Sequence, residues 1–469
     1  MQEYKTPGVY IEEIPKLPPS IASVETAIPA FIGYTQTARL KEDGDLELKP
    51  KRISSMLEYE QYFGFPQPET TITVNIDTTN PSRIDVQGKV TTPSKYLMYY
   101  SLQMFFINGG GPCYIVSVGD YTGGGVIDMA TLKLGLDEIE KENEVTLILF
   151  PDSMNISSLG DYCTLHQEAM DQCTNLQDRF TVMDVWIDPD PTVDNITEFR
   201  NTIAGDINRF KYGAVYYPRI YTRLDYYYKT PGTTTDNDAS VTITGIGGVA
   251  NLNDLKSVNN AYYFMAKNAI NQIEMVLPAS SGVVGKYAVT DNGRGVWKAP
   301  ANISIDYASR PEIIITNKMQ ETLNVDTTAG KSINVIRSFT GISPALIWGA
   351  RTLAGNDNEW RYIPVRRFFN MVEESTKNAT QQFVFEPNDR NTWVRVKSMI
   401  ENYLTQQWKA GALMGASTKE AFFVHIGLGE TMTELDIWEG RMIVEIGMAV
   451  VRPAEFIILR FMHKMLAES

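Results

Sequence analysis

The sequence predicts an α/β (α+β) fold, with a large α/β body that carries β-rich insertions and a C-terminal domain of mixed α+β structure. Three observations carry this. Between residues 30 and 217, strand-length apolar runs alternate with helix-length amphipathic stretches, the order that packs helices over a mainly parallel sheet. Two stretches, 66–93 and 222–254, interrupt that order with Thr, Asp, Asn, Gly and Pro. The last part of the chain joins a basic amphipathic helix to one of its most apolar segments, 442–461.

Residues 1–20 read as an arm. Pro7 and Gly8 mark a turn, after which Val9 and Ile11 share one face of a short strand, 9–14, while Tyr10 and Glu12 share the other. Pro15, Pro18 and Pro19 stiffen the chain directly after this strand, so a β-competent run is set off from the body by a semi-rigid spacer. A frayed terminus is the alternative, but frayed ends seldom carry such a run. In the body, 30–35, 113–118, 145–150, 181–186 and 214–217 read as strands, several of them continuously apolar as strands buried on both faces are. Helical patterns lie between them at 95–107, 127–142, 159–176 and 196–209. The two insertions contain alternating runs at 71–76 and 241–244 and read as β-hairpins or long surface loops. Residues 313–315 are predicted as a further buried strand. Arg361, Arg366 and Arg367, with Arg351 upstream, are spaced as ion-pairing residues rather than as a nucleic-acid face.

Composition excludes several function classes. At 469 residues the chain is too long for one core, and its 43% apolar and 21% charged content is that of a folded protein. A net charge of −14 argues against nucleic-acid binding, which needs a basic face. The first seven residues have neither a basic n-region nor an apolar h-region, so the expectation is no secretory signal and a chain that stays in the cytosol where it is made. The most apolar windows contain Glu445, Arg452 and Glu455, or Arg337 and Pro344, and none reads as a membrane span. Cys113, Cys163 and Cys173 are too few and too irregular for a disulfide framework or a zinc site. Among His166, His425 and His463 no catalytic or metal-ligating spacing occurs, and neither Gly33 nor the glycines at 109–111 belong to a phosphate-binding motif. Asp184, Asp188 and Asp190 have a metal-like spacing, but Pro189 and Pro191 make a solvated acidic turn the better reading. No catalytic, cofactor-binding or metal site is predicted.

From 392 to 409, Trp393, Val396, Ile400, Tyr403, Leu404 and Trp408 form one helical stripe, with a cap at 387–389 and a stop at Gly411. The other side carries Arg395 and Lys409, with Arg390 at the start, Lys397 on the flank and Glu401 at the margin. Beyond it, Met442, Val444, Ile446 and Met448 alternate as a strand, Pro453 forces a bend, and 455–461 is extended again with Phe456, Ile457, Ile458 and Leu459 at its heart. Within a single chain, such a strand would close its own domain's sheet.

Here the sequence resembles a known family. The runs 440–447 (Gly-Arg-Met-Ile-Val-Glu-Ile-Gly) and 451–459 (Val-Arg-Pro-Ala-Glu-Phe-Ile-Ile-Leu) resemble the C-terminal domain of contractile tail sheath proteins. That family includes the sheaths of contractile phages, R-type bacteriocins and phage-tail-like injection systems. In family order, 6–13 (Thr-Pro-Gly-Val-Tyr-Ile-Glu-Glu), 294–302, 333–337 and 360–367 (Trp-Arg-Tyr-Ile-Pro-Val-Arg-Arg) match as well, so the resemblance is collinear over the chain and weakest in the two insertions. It implies an N-terminal strand-donating arm at 1–20, an outer α/β domain at 21–345, a tube-proximal domain at 346–454 and a C-terminal arm at 455–469. Strands would be exchanged between subunits through Val9, Tyr10, Ile11 and Glu12 and through Phe456, Ile457, Ile458 and Leu459. Arg390, Arg395, Lys397 and Lys409 are the candidate contacts to an acidic strip on the inner tube. The implied partners are copies of the chain in a helical polymer or stacked rings, alone or with paralogous sheath subunits. An inner tube protein, baseplate and tail terminator or cap proteins complete the set. Assembly would take place in the bacterial cytoplasm, without a cofactor, nucleic acid or membrane insertion. A tail terminator or baseplate protein with the same fold, and an α/β hydrolase, are the alternatives.

Overall fold

The computed structural model describes residues 21–80, 83–230, 233 and 235–460. It is a mixed α+β structure of two compact units, one of Glu25–Met371 with Arg452–Ser469 and one of Met1–Val24 with Val372–Val451.

The larger unit is built on a nine-stranded sheet. Six strands run parallel in the order Asn334–Phe339, Gly213–Tyr217, Phe180–Asp184, Leu147–Leu149, Pro29–Gly33, Cys113–Ser117. Lys51–Ile53 pairs antiparallel on one side and Ser343–Trp348 on the other, and Ile303–Ser304 pairs antiparallel to Ser343–Trp348 at the edge. Five of the inner strands are buried at every position, which is why they read as apolar runs rather than as alternations. Alternate residues still go to opposite faces. Phe31, Ile115, Leu149 and Val182 pack with the helices Met98–Ile107 and Ser280–Arg294. Ala30, Ile32, Val116 and Ile148 pack with Met129–Ile139 and Leu159–Leu176.

Buried carboxylates fix two of these helices. Asp152 accepts hydrogen bonds from the N–H groups of Tyr34, Leu97 and Met98, so it caps the helix that starts at Met98. Asp184 accepts from Ala279 and Ser280 at the start of the helix beneath the sheet. The acidic-turn reading therefore fails for Asp184, which is buried, whereas Asp188 and Asp190 do form turns, accepting from the N–H groups of Asp190 and Thr192. The helix expected at 196–209 is split into Asn195–Thr202 and Ile207–Phe210 around Gly205, whose φ is +157°. No strand forms at 313–315: the chain bends after Pro311, Ile314 is exposed, and only Ile315 enters the core.

The two insertions are parts of one subdomain. A hairpin of Ile72–Asp77 and Asp85–Val90 comes from the first, and Thr242–Thr244 from the second pairs parallel to Ile72–Asp77. Ile72, Val74 and Ile76 enter a separate core with Leu252, Leu255, Ala266 and Ile270 from helices Leu252–Val258 and Asn260–Asn271.

In the smaller unit, Phe422–His425 and Glu445–Met448 form a two-stranded antiparallel sheet with Phe423 opposite Gly447. The helix Arg390–Lys409 packs beside it, its first turn capped by the Asp389 carboxylate, which accepts from the Thr392 N–H. The segment entering from the N-terminal side is held here, with the Val24 N–H donating to Ser375 Oγ and Ser23 Oγ within 3.1 Å of the Tyr403 hydroxyl. Of the strand expected from 442, Glu445–Met448 pairs with Phe422–His425, Val450 makes an isolated antiparallel bridge with Leu413, and 451–460 lies outside any helix or strand.

Candidate functional site

The surfaces that matter are those the fold leaves incomplete. Two strands alone are marginal in water, because each outer edge presents unpaired backbone groups. In the sheet of Phe422–His425 and Glu445–Met448 the faces are thinly covered too, since Phe423 is 50% exposed and every residue of Glu445–Met448 is at least partly accessible. The Phe423 ring lies over the bare backbone of Gly447, so close that a Cβ there would fall 2.1 Å from it.

The second incomplete element is the C-terminal segment. Phe456, Ile457, Ile458 and Leu459 are 69%, 80%, 78% and 72% exposed. Consecutive side chains of this size are rarely left in water without a partner. The sequence anticipated a strand here, and the apolar content is right, but a strand is defined by its neighbour and none forms among the described residues. Val9, Tyr10, Ile11 and Glu12 lie outside the described residues.

The helix Arg390–Lys409 buries Thr392, Val396, Met399, Ile400, Tyr403 and Leu404. Trp393 and Trp408, placed in the buried stripe from the sequence, are half-buried at its margins, where their indole N–H groups donate to Asn388 Oδ1 and to the Gly415 carbonyl. Arg390, Arg395 and Lys409 are exposed and Lys397 is partly so. At about 100° per residue, Arg395 and Lys397 fall about 160° apart around the helix, on opposite flanks of its open face. Arg395 is paired with Glu386 at 3.2 Å, both side chains about half exposed, and Lys397 is close enough to help hold the Glu430 carboxyl below its usual range, after the larger effect of the His425 hydrogen bond. No local pattern marked Glu386 as a partner, because it precedes the helix and reaches Arg395 only through the turn at 387–389.

The arginines around 351–367 serve the interior. Arg367 and Asp291 form an ion pair with both side chains 3% exposed, and Arg366 lies over Trp360 and donates to Asn370. His166 is buried beside Ser153, His425 pairs with Glu430, and His463 lies outside the described residues. The three cysteines are free and buried, and burial pushes the thiols of Cys163 and Cys173 up to about 12. Among the described residues no group of three or more His, Cys, Asp or Glu is arranged to hold a metal, and no helix is long and apolar enough to cross a membrane.

Comparison with known proteins agrees with this geometry. Residues 355–463 match the phage tail sheath C-terminal domain. The tail sheath protein of Vibrio phage KVP40 is 26% identical over 158 residues, a match that takes in 33% of this chain and 23% of that protein. Among solved structures, the anti-feeding prophage helical sheath in its contracted state contains a chain 30% identical, with 98% of this chain and 100% of that one aligned at a TM-score of 0.65. A chain of the anti-feeding prophage baseplate is 31% identical, with 98% and 100% covered and a TM-score of 0.64. A chain of the PVC extracellular contractile injection system sheath, contracted, is 29% identical, with 99% of each covered and a TM-score of 0.64. The chain therefore belongs to the contractile tail sheath family and is a contractile sheath subunit of a phage tail or injection system.

Proposed function

We propose that this subunit polymerises around an inner tube in an extended, metastable lattice, and that contraction of the lattice drives the tube through a target envelope. Neighbouring subunits are linked by exchanged strands: Phe456–Leu459 of one chain, and Val9–Glu12 of another, add to the two-stranded sheet of a third. The observation that carries this reading is the run of exposed apolar side chains at 456–459, in a protein whose smaller sheet has edges to fill. Each donated strand would form several backbone hydrogen bonds worth about 1 kcal/mol net apiece, with apolar burial in addition. Head-to-tail donation does not close on itself, which suits stacked rings or a helix.

Contraction would proceed as near-rigid movement of subunits whose strands stay paired, releasing energy stored at assembly, with no catalysis or nucleotide. In this reading 346–454 face the tube, 21–345 lie outside, and the insertion subdomain is on the outer surface. Arg390, Arg395, Lys397 and Lys409 meet an acidic strip on the tube. The Arg395–Glu386 pair is a surface pair worth less than about 1 kcal/mol, so exchanging Glu386 for a tube carboxylate costs little.

The test is negative-stain electron microscopy of subunits mixed with the tube protein. The full chain should give long tubes. Variants lacking residues 1–19, or ending after Glu455, should give none, and Arg395→Glu with Lys397→Glu should leave the tube bare. Full-length subunits that stay monomeric would overturn the polymer, and truncated subunits that still form tubes would overturn strand exchange. The match to a baseplate chain favours a second reading, a ring-forming subunit next to the baseplate, which would give single discs in the same assay.

A further inference from the structure

Where the C-terminal segment leaves the body, one carboxylate is gripped from several sides. Glu455 accepts from Arg351 through Nε at 2.9 Å and through Nη2 at 2.5 Å, from Asn324 Nδ2 at 2.8 Å and from the Tyr362 hydroxyl at 3.3 Å. Arg351 is itself immobilised. Its side chain is 4% exposed, its Nη1 donates to the carbonyls of Asn324 and Gly355, and its backbone N–H and carbonyl are both bonded to the Asn334 side chain. One residue further on, Phe456 is 69% exposed.

We infer that the Arg351–Glu455 clamp is the fixed root of the donated strand, and that by removing slack ahead of Phe456 it sets how readily, and in what register, the strand enters a neighbouring subunit. This rests on the strand-exchange reading above. A tethered segment finds its acceptor at an effective concentration that falls as the loose linker between anchor and binding residues lengthens. With the clamp closed the free segment begins at Phe456. With it open, the anchor retreats to Val451, whose N–H is bonded to the Ala412 carbonyl, and residues 452–455 become slack. Slack also permits register slips, which in a strand exchange the faces on which Phe456 and Ile457 fall. The bidentate guanidinium fork suits this role because it fixes direction as well as position. The N-terminal segment is rooted by a similar device. Arg367 donates to the Thr26 carbonyl at 2.7 Å, and the Thr26 hydroxyl donates to Asp291, the ion-pair partner of Arg367.

The experiment uses full-length subunits with the tube protein and reads the subunit concentration at half-assembly, with thermal unfolding of the unassembled subunit alongside. Glu455→Ala should raise the half-assembly concentration by about tenfold at temperatures where the variant is fully folded. A Gly-Gly insertion between Glu455 and Phe456 keeps the clamp but restores slack. It should reproduce the assembly defect while leaving unfolding unchanged, which a purely structural ion pair does not predict. If the insertion variant, or Glu455→Ala, assembles at the wild-type concentration, the clamp is not the root. If the chain ending after Glu455 assembles normally, strand exchange itself fails and the clamp with it.

Discussion

The nine-stranded sheet and the two-stranded sheet answer the same physical demand in opposite ways. In the large sheet Phe31 is fully buried and five of the parallel strands are buried at every position. In the small one Phe423 is half exposed, and each strand has a single neighbour among the described residues. The first covers most of its apolar surface within one chain. The second leaves its edges and part of its apolar surface open among the described residues, and in the strand-exchange proposal its stability depends on concentration and on partners. Under that proposal, strength and exchangeability are placed in different parts of the chain.

Truncating a ring in each sheet should widen this contrast most. Phe31→Ala should destabilise the subunit by about 3–5 kcal/mol, whereas Phe423→Ala should cost about 1 kcal/mol or less in the free subunit and show its effect only on assembly. Urea denaturation of the unassembled variants measures both, and equal losses would erase the distinction.

The large sheet should also carry a pH signature. Burial holds His166 neutral and lowers its pKa from 6.5 to about 3. Below pH 6.5 the unfolded chain takes up a proton that the folded one refuses. This contribution is therefore fully present above that pH and is lost as pH falls, by about 1.4 kcal/mol per unit. Burial acts the other way on Asp152 and Asp184, whose carboxyls are raised to about 7 and about 6 and favour the folded state at lower pH. The wild-type curve mixes these terms. The difference between wild type and His166→Gln isolates the histidine, and it should narrow by about 2–3 kcal/mol between pH 6.5 and 4.5 in denaturation series. A constant difference would show that His166 does not titrate this way.

The smallest effect is a methyl group. At Gly135 a Cβ would meet Ile32 and Val118 at 2.5 and 2.7 Å in the packed core, so Gly135→Ala should cost about 1–3 kcal/mol. At Gly447 the obstacle is the ring of Phe423, a side chain half open to solvent that can shift at low cost, so Gly447→Ala should stay within about 0.5 kcal/mol of wild type. Thermal unfolding of the pair would show whether the small sheet is as loosely packed as its exposure implies.

Much of the large unit was legible because its strands are buried on both faces, and apolar runs such as Cys113–Ser117 leave a signal that needs no knowledge of neighbours. The subdomain made from 66–93 and 222–254 was not, since the pairing of Thr242–Thr244 with Ile72–Asp77 joins residues far apart in sequence and leaves no local trace. The stripe on Arg390–Lys409 was read correctly at Val396, Ile400, Tyr403 and Leu404. Met399 at its centre and the pairing of Arg395 with Glu386 depended on what packs and folds back against the helix.

The sequence by itself determined the alternation of strand and helix, the capping of the helix at Asp389, and the apolar character of 456–459, because these follow from side-chain chemistry over a few residues. Only the tertiary structure decided that Asp184 is a buried helix cap, that Arg351 grips Glu455, and that 456–459 has no strand partner among the described residues. Burial, ion pairing and strand pairing are relations between distant residues, and the proposed pairing of 456–459 with another chain would be the extreme case of that dependence.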